Sequence, residues 1–305
     1  RGFAAATLLA SGKVLVAGGS GAGGALTSAE LFDAAGNGGA GTFTATGSMA
    51  TARILPTATL LKDGRVLVAG GTGANGKPVT TAEIFDPAAN GGAGAFIATG
   101  AMTAGRRSHA AARLSDGRVL IVGGGDASNP SVPIRDAELF DPAGNGGVGT
   151  FTATALMSIS RANPLAATLP SGKVLVAGGA TGFFAESAIT AELFDPAANA
   201  GAGAFSATGS LASGRNGGAA VALAAGKVLV VAGNNSNGLG QMSAVAKAEL
   251  FDEAGNGGAG SFSGTGSLAT VRIYNASAVL LLDGRVLVAG GLNLGSNPDS
   301  SAELF

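Results

Sequence analysis

Residues 65–87 read RVLVAGGTGANGKPVTTAEIFDP, and the chain writes nearly the same phrase five more times. The Arg that opens each copy falls at Arg1, Arg53, Arg106, Arg161, Arg215 and Arg272. This defines repeat units 1–52, 53–105, 106–160, 161–214, 215–271 and 272–305. Each unit keeps one order: an Arg, an apolar stretch such as ATLLKDG, then RVLVAGG, a loop, AEIFDP, a Gly-rich turn and AFIATG. Self-similarity at such a period is the mark of a repeat architecture.

The apolar pieces are short, rich in Val, Leu, Phe and Thr, and bounded by turn residues, which predicts β-strands rather than helices. LKDGR, LASGK, LPSGK and LLDGR read as two-residue hairpin turns, with Gly supplying the positive φ. VLVA is apolar at every position and is expected to be buried on both faces. Four antiparallel strands per unit of this length predict an all-β β-propeller of six blades, each blade a small twisted sheet packed between its neighbours. The whole chain, 1–305, is expected to be one propeller domain.

The repeat resembles the kelch repeat of kelch propellers and of the central domain of galactose oxidase. The resemblance rests on the Gly pairs Gly18-Gly19, Gly70-Gly71, Gly123-Gly124, Gly178-Gly179 and Gly290-Gly291, on Glu-hydrophobic-Phe in the third strand, and on the recurring Arg. The fourth-strand aromatic is Phe43, Phe96, Phe151, Phe205 and Phe262 where that family carries Trp, and the third-strand Tyr is also Phe. In unit five Asn234 is read as replacing the second Gly. The resemblance implies binding on the face that carries the variable loops. It also brings to mind the galactose oxidase copper site, built of two Tyr, two His and a Cys-linked Tyr. One His, one Tyr and no Cys do not supply that set.

Strands one to three occur six times and strand four only five, with SAELF at 301–305 lying in the third strand of unit six. An open sheet edge invites pairing. Three sources of the missing strand are expected: residues preceding Arg1 in a velcro closure, residues following Phe305 with a seventh blade, or a neighbouring subunit by strand addition. The last would make the incomplete blade a site of self-association.

Eighteen basic residues against nineteen acidic give a net charge of -1, which argues against nucleic acid as the main partner. Only 12% of residues are charged and the mean hydropathy is +0.39, too apolar for disorder. No apolar run is long enough to span a bilayer as a helix. The absence of Cys excludes disulfides and thiolate metal sites and fits a bacterial secreted or cell-surface protein. Without Met or a signal-like segment at Arg1, the chain is expected to be a mature or excised piece of something longer.

Most charges belong to the template. Glu30, Glu83, Glu138, Glu192, Glu249 and Glu303 occupy one third-strand position, and Asp33, Asp86, Asp141, Asp195 and Asp252 begin the following turn. A residue every blade requires is expected to hold blades together, each Glu pairing with an Arg or a backbone donor. The competing reading is a ring of six arginines that captures an anion. The DPAANGGAGAF turns offer one carboxylate each, too few for calcium, so Asp is expected to cap its own turn. No cofactor is predicted.

Two regions vary between copies. One is the triplet after each template Arg: Gly2-Phe3-Ala4, Ile54-Leu55-Pro56, Arg107-Ser108-His109, Ala162-Asn163-Pro164, Asn216-Gly217-Gly218 and Ile273-Tyr274-Asn275. The other is the loop between strands two and three, from SGAGGALTS at 20–28 to NNSNGLGQMSAVAK at 234–247. In an up-and-down blade both lie at the same end. The candidate ligand-binding residues are therefore Arg107, Ser108, His109, Asn163, Asn216, Tyr274 and Asn275, with Phe183 and Phe184 as an aromatic pair in the fourth loop. The sole His has no second group positioned by sequence, and no nucleophile-elbow or phosphate-loop motif stands in context. A non-catalytic surface module binding protein or carbohydrate is the leading reading. A structural subunit of a surface assembly or filament comes next, and a glycan-active enzyme third.

Overall fold

The computed structural model describes residues 1–126, 129, 132–182, 185–239, 241–274, 276–293, 295 and 297–305. It is a six-bladed β-propeller arrangement of small antiparallel sheets, in which strands pair in chain order within each blade. Blade four is representative: Leu165–Thr168, Val174–Ala177, Ala191–Asp195 and Ala204–Ala207 form one meander. Blade six has three strands, Ala276–Leu280, Val286–Gly290 and Ala302–Leu304. The chain forms two compact units, one holding blades one to three and the other blades four to six.

Alternation places one set of side chains on each face of a blade. In the second unit, Leu175, Ala177 and Leu193 of blade four pack on Val228, Val230 and Phe251 of blade five. Leu229, Val231 and Ala248 of blade five pack in turn on Val286 and Val288 of blade six. In the first unit, Leu15 and Leu31 of blade one meet Val66, Val68 and Phe85 of blade two. This is why VLVA is apolar throughout: Val174–Ala177 is buried at all four positions. Tilted Phe pairs, such as Phe194 with Phe205 at 4.9 Å, fill the third- and fourth-strand positions.

The template Arg bolts blades together. The Arg161 guanidinium donates to the carbonyls of Gly178 (2.7 Å) and Thr190 (2.9 Å), to Thr190 Oγ1 (2.9 Å) and to Glu192 (3.1 Å). Glu192 also accepts the Ser158 backbone N–H from the segment entering the blade. The Arg161 carbonyl, in turn, accepts the N–H of Gly124, and the Arg215 carbonyl accepts that of Gly179. Each Arg therefore grips its own blade by its side chain and the preceding blade by its backbone. The pattern recurs in Arg53–Glu83, Arg106–Glu138, Arg215–Glu249 and Arg272–Glu303, all with the Arg side chain fully buried. Buried in this way, these arginines offer no surface to a soluble anion, and the pairing reading holds. Burial pulls the Arg161 and Arg215 guanidiniums below their ordinary pKa, while the carboxylate partner pushes it back up.

The Gly-Gly pair is required by this bolt. Both residues have positive φ, and a Cβ on Gly178 would lie 2.4 Å from the Arg215 carbonyl oxygen. In blade five the structure corrects the sequence alignment. The Gly233 N–H makes the bond to Arg272, so Gly233 is the second Gly and Ala232, at φ 61, stands where the other blades have the first. Asn234 is not a Gly replacement; it occupies the next position, paired with Asn216.

The hairpins also differ from expectation. Leu61 N–H bonds the Arg65 carbonyl and Gly64 N–H the Leu61 carbonyl, leaving three residues in the loop rather than two. Gly64 at φ 88 then forms the bulge of a three-residue hairpin. In the Gly-rich turns, Asp195 Oδ1 accepts the Ala197 N–H and Asn199 is left-handed at φ 52, as the turn-capping reading requires.

Two stability outcomes follow. Arg161→Ala should cost about 3–5 kcal/mol in urea unfolding by stranding Glu192, and the double change Arg161→Met with Glu192→Leu should cost less. Ala232→Gly should leave stability unchanged or raise it by about 1 kcal/mol, the reverse of an ordinary strand Ala→Gly change, since it relieves a left-handed alanine.

Candidate functional site

At one end of each blade the variable triplet runs antiparallel to the start of the variable loop. The pairings are Gly2 with Ser20, Ile54 with Thr72, Arg107 with Gly125, Ala162 with Ala180 and Asn216 with Asn234. In blade six the Ile273 N–H donates to the Leu292 carbonyl. The two variable regions are thus one structural feature, as the up-and-down topology predicts.

The middle residue of the triplet is left-handed in five blades: Phe3 (φ 55), Leu55 (φ 57), Ser108 (φ 54), Asn163 (φ 49) and Gly217 (φ 69). Asn and Gly tolerate this conformation, whereas Phe and Leu adopt it at a cost of about 1–2 kcal/mol each. Neighbouring middles are linked: Leu55 N–H donates to the Phe3 carbonyl in the first unit, and Gly217 N–H to the Asn163 carbonyl in the second. Each unit therefore carries a hydrogen-bonded collar of non-identical side chains. Phe3 is 44% exposed, while Leu55, Ser108 and Asn163 are half-buried.

His109, third in its triplet, is not part of the accessible collar. It is 7% exposed, its Nε2 lies 2.9 Å from Thr57 Oγ1, and its ring packs against Gly70, whose Cβ would sit 2.6 Å from Cε1. Burial, and then the nearby Arg106 and Arg53 charges, pull its pKa down to about 3. Nδ1 has no hydrogen-bond partner among the described residues. The imidazole is a neutral interior residue whose hydrogen-bonding neighbour is a hydroxyl rather than a carboxylate. Arg107 is half-buried in the short ladder of Arg106–Arg107 with Gly125–Asp126.

In the second unit the triplets and loops form a polar cluster. Asn216 is buried and donates through Nδ2 to Ser187 Oγ (2.8 Å), which also accepts the Ser236 N–H. Fully buried Asn234 donates to the Tyr274 hydroxyl (3.4 Å), and that hydroxyl reaches Met242 Sδ (3.0 Å). The Tyr274 ring lies over Gly217, where a Cβ would come within 2.8 Å of Cδ1. Tyr274 and Asn163 thus stand at the collar, whereas Asn216 supports it from below. Ser187 and Met242 were not singled out from sequence, and Asn234 was read only as a Gly replacement; their signal was the polarity of the loops that carry them. Phe183, Phe184 and Asn275 lie outside the described residues.

Among the described residues no group of three or more His, Cys, Asp and Glu side chains is placed to hold a metal. No described helix is long and apolar enough to cross a membrane. No protein-family model matches the chain, and no curated protein sequence matches it. Among solved structures, YjhT shares the fold with a TM-score of 0.75 and 14% identity, over 99% of this chain and 94% of that one. A fungal alcohol oxidase of the AA5 family, solved in complex with copper, follows it with a TM-score of 0.60 and 19% identity, over 96% of this chain and 70% of that one. The fold is accordingly similar to that of galactose oxidase-like kelch propellers. At these identities the likeness extends to the fold alone, and this chain's single His, single Tyr and lack of Cys do not fit that family's copper site.

The single His makes its protonation directly readable. Its NMR signal should stay flat from pH 8 to 5 in the native chain. The unfolded imidazole takes up a proton near pH 6.5 and the folded one only near 3, so acidification through that window favours the unfolded state, while above it the effect vanishes. Between pH 7 and 4.5, His109→Gln should lose about 2 kcal/mol less stability than the parent chain.

Proposed function

We propose that this chain is a non-catalytic recognition module, secreted or carried on a bacterial surface, that binds a protein or glycan through the variable-loop end of its blades. The observation that carries this reading is the collar. In each unit a frame repeated almost without change holds unlike residues, Phe3, Leu55 and Ser108 in the first and Asn163 and Tyr274 in the second, several in a backbone conformation that costs energy to maintain. Strain that a rigid scaffold sustains is a pointer to function. In the first unit Phe3 brings aromatic surface suited to a sugar ring or an apolar side chain and Ser108 a hydrogen-bonding group; in the second Tyr274 and Asn163 bring the same pair of chemistries.

An enzymatic reading finds less support. His109 is interior and neutral, and a base must reach the proton it removes. Fold likeness to an oxidase does not transfer an activity.

The test is binding of the purified chain to a printed glycan array and to immobilised cell-surface protein extracts. Tyr274→Ala and Phe3→Ala should each weaken the captured interaction at least about tenfold, with unchanged melting temperature. Asp63→Ala, in a hairpin turn at the opposite end of its blade, should leave it intact. Binding that survives both collar changes and is lost on the turn variant would overturn the proposal.

A further inference from the structure

In each variable loop the residue after the second Gly faces one on the returning limb: Ser20 with Ala25, Thr72 with Pro78, Ala180 with Ser187, Asn234 with Ala244 and Leu292 with Pro298. The next residue of that limb donates its N–H to the Gly carbonyl, as Leu26 does to Gly19 and Val245 to Gly233. Antiparallel ladders alternate between pairs that bond each other and pairs whose backbone groups point away. Ala25, Pro78, Ser187, Ala244 and Pro298 therefore face outward from their loops. In blade three Ile134 donates to Gly124, which puts Pro133 at that place. Three of the six positions are thus proline, which has no N–H and blunts a strand edge. Ser187 of blade four is covered within its own unit. Its N–H donates to the Ser236 carbonyl (3.3 Å), its hydroxyl accepts the Ser236 N–H (3.1 Å), and Glu186 bridges to Asn237.

Blade five, a complete four-stranded blade, leaves this edge open. Its loop is a hairpin of Asn234–Ser236 with Met242–Ala244. Asn237 N–H donates to the Gln241 carbonyl and Val245 N–H to that of Gly233, so Asn235 and Ser243 are the bonding pair between them. Met242 and Ala244 then turn their N–H and C=O groups away from the hairpin. On the first limb every outward group is used: Asn234 exchanges two bonds with Asn216, and Ser236 meets Ser187. On the second limb Met242 and Ala244 have no backbone partner among the described residues. The hairpin is held in shape at its tip, where Asn237 Oδ1 accepts the N–H groups of Leu239 (3.0 Å) and Gln241 (3.2 Å). Blade one, the other loop without a proline or a cover, returns through Gly24–Ala25 alone and turns only Ala25 outward.

Resting on the recognition role proposed above, we infer that the open edge of Met242–Ala244 takes an extended segment of a partner protein as an added strand. Two donors and two acceptors, repeating every second residue, match the backbone of a strand and not the hydroxyls of a sugar. The same hairpin already accepts such an addition on its other edge, from Glu186–Ser187. The side chains define the segment further. Alternation puts Asn234, Met242 and Ala244 on one face of the hairpin, where the Tyr274 hydroxyl reaches both Asn234 and Met242. Partner residues opposite Met242 and Ala244 point to that face, so the segment carries apolar side chains two positions apart. Met242, 51% exposed, and Leu239 at the tip, 82% exposed, supply the apolar surface they meet. Residues 234–244 include no charged side chain, so the segment needs none.

The test is to pan a random dodecapeptide phage library on the immobilised chain and to resynthesise the selected peptide with a fluorophore. Single N-methylation along that peptide should weaken binding at least about tenfold at alternate backbone positions and little between them. The Met242 and Ala244 amides should exchange with solvent at least about tenfold more slowly in the complex. Ala244→Pro writes into blade five the residue that blades two, three and six already carry, and it should weaken binding at least about tenfold with an unchanged melting temperature. Ala25→Pro in blade one should leave binding intact. A peptide indifferent to alternate N-methylation and to Ala244→Pro would overturn the inference. A chain that selects no peptide but binds a printed glycan through Tyr274 would overturn it and leave the recognition role standing; a chain that binds neither would overturn both. Dimers that Ala244→Pro dissociates would make a second copy the occupant, and the inference would again fall.

Discussion

Everything in this molecule hangs on the carbonyl and guanidinium of one repeated arginine. A guanidinium stripped of water is costly unless every donor direction is met, and the attraction to a carboxylate barely repays the transfer of both ions. Here the repayment comes from the company the pair keeps. Arg53 meets two backbone carbonyls and a hydroxyl besides Glu83, and Glu83 meets two backbone N–H groups besides Arg53. These partners come from two blades, so the pair is satisfied only when the blades are docked. Arg1 shows the contrast: its bond to Glu30 is short, at 2.6 Å, but both side chains are partly solvated, and such a pair contributes little.

The same bolt explains the division between constant and variable sequence. The Arg backbone is held by a Gly N–H, which forbids a Cβ at that Gly and fixes the path of the chain as it leaves the Arg. The next residue bridges to the loop, and in blades one to five the one after it is turned into the left-handed region. Position, and not identity, is therefore dictated at the triplet. That is how Phe, Leu, Ser, Asn and Gly come to share one backbone conformation. At the far end of the blades each turn is occupied with capping itself through Asp and Asn, which leaves less room for variation.

Much of this was legible in the sequence because the repeat averages out local ambiguity. Six copies of VLVA between turn residues leave little doubt about strand and burial, and a Glu at one position in every unit announces a partner in every unit. What escaped was decided by single atoms. The hairpin length depends on which carbonyl the Gly N–H reaches, and the alignment of VVAGNN depends on which residue bonds Arg272. A left-handed alanine is improbable enough that the sequence favours placing both glycines by identity. His109 was misjudged for a different reason. Uniqueness drew attention to it, whereas four of its five counterparts, Ala4, Pro56, Pro164 and Gly218, are small or apolar, with Asn275 the exception, a composition that leans to an interior position. Comparing the column rather than the residue would have placed it inside.

Repeat architectures carry a consequence that a single-core fold does not. Each blade buries one face against the blade before it and the other against the blade after it, so stability is close to a sum of intrinsic terms and nearest-neighbour interfaces. Burial is then a local property, readable from one blade against its own unit. Val221 of blade five and Ala167 of blade four show the interface term at work, each 7% exposed once the following blade has packed over it.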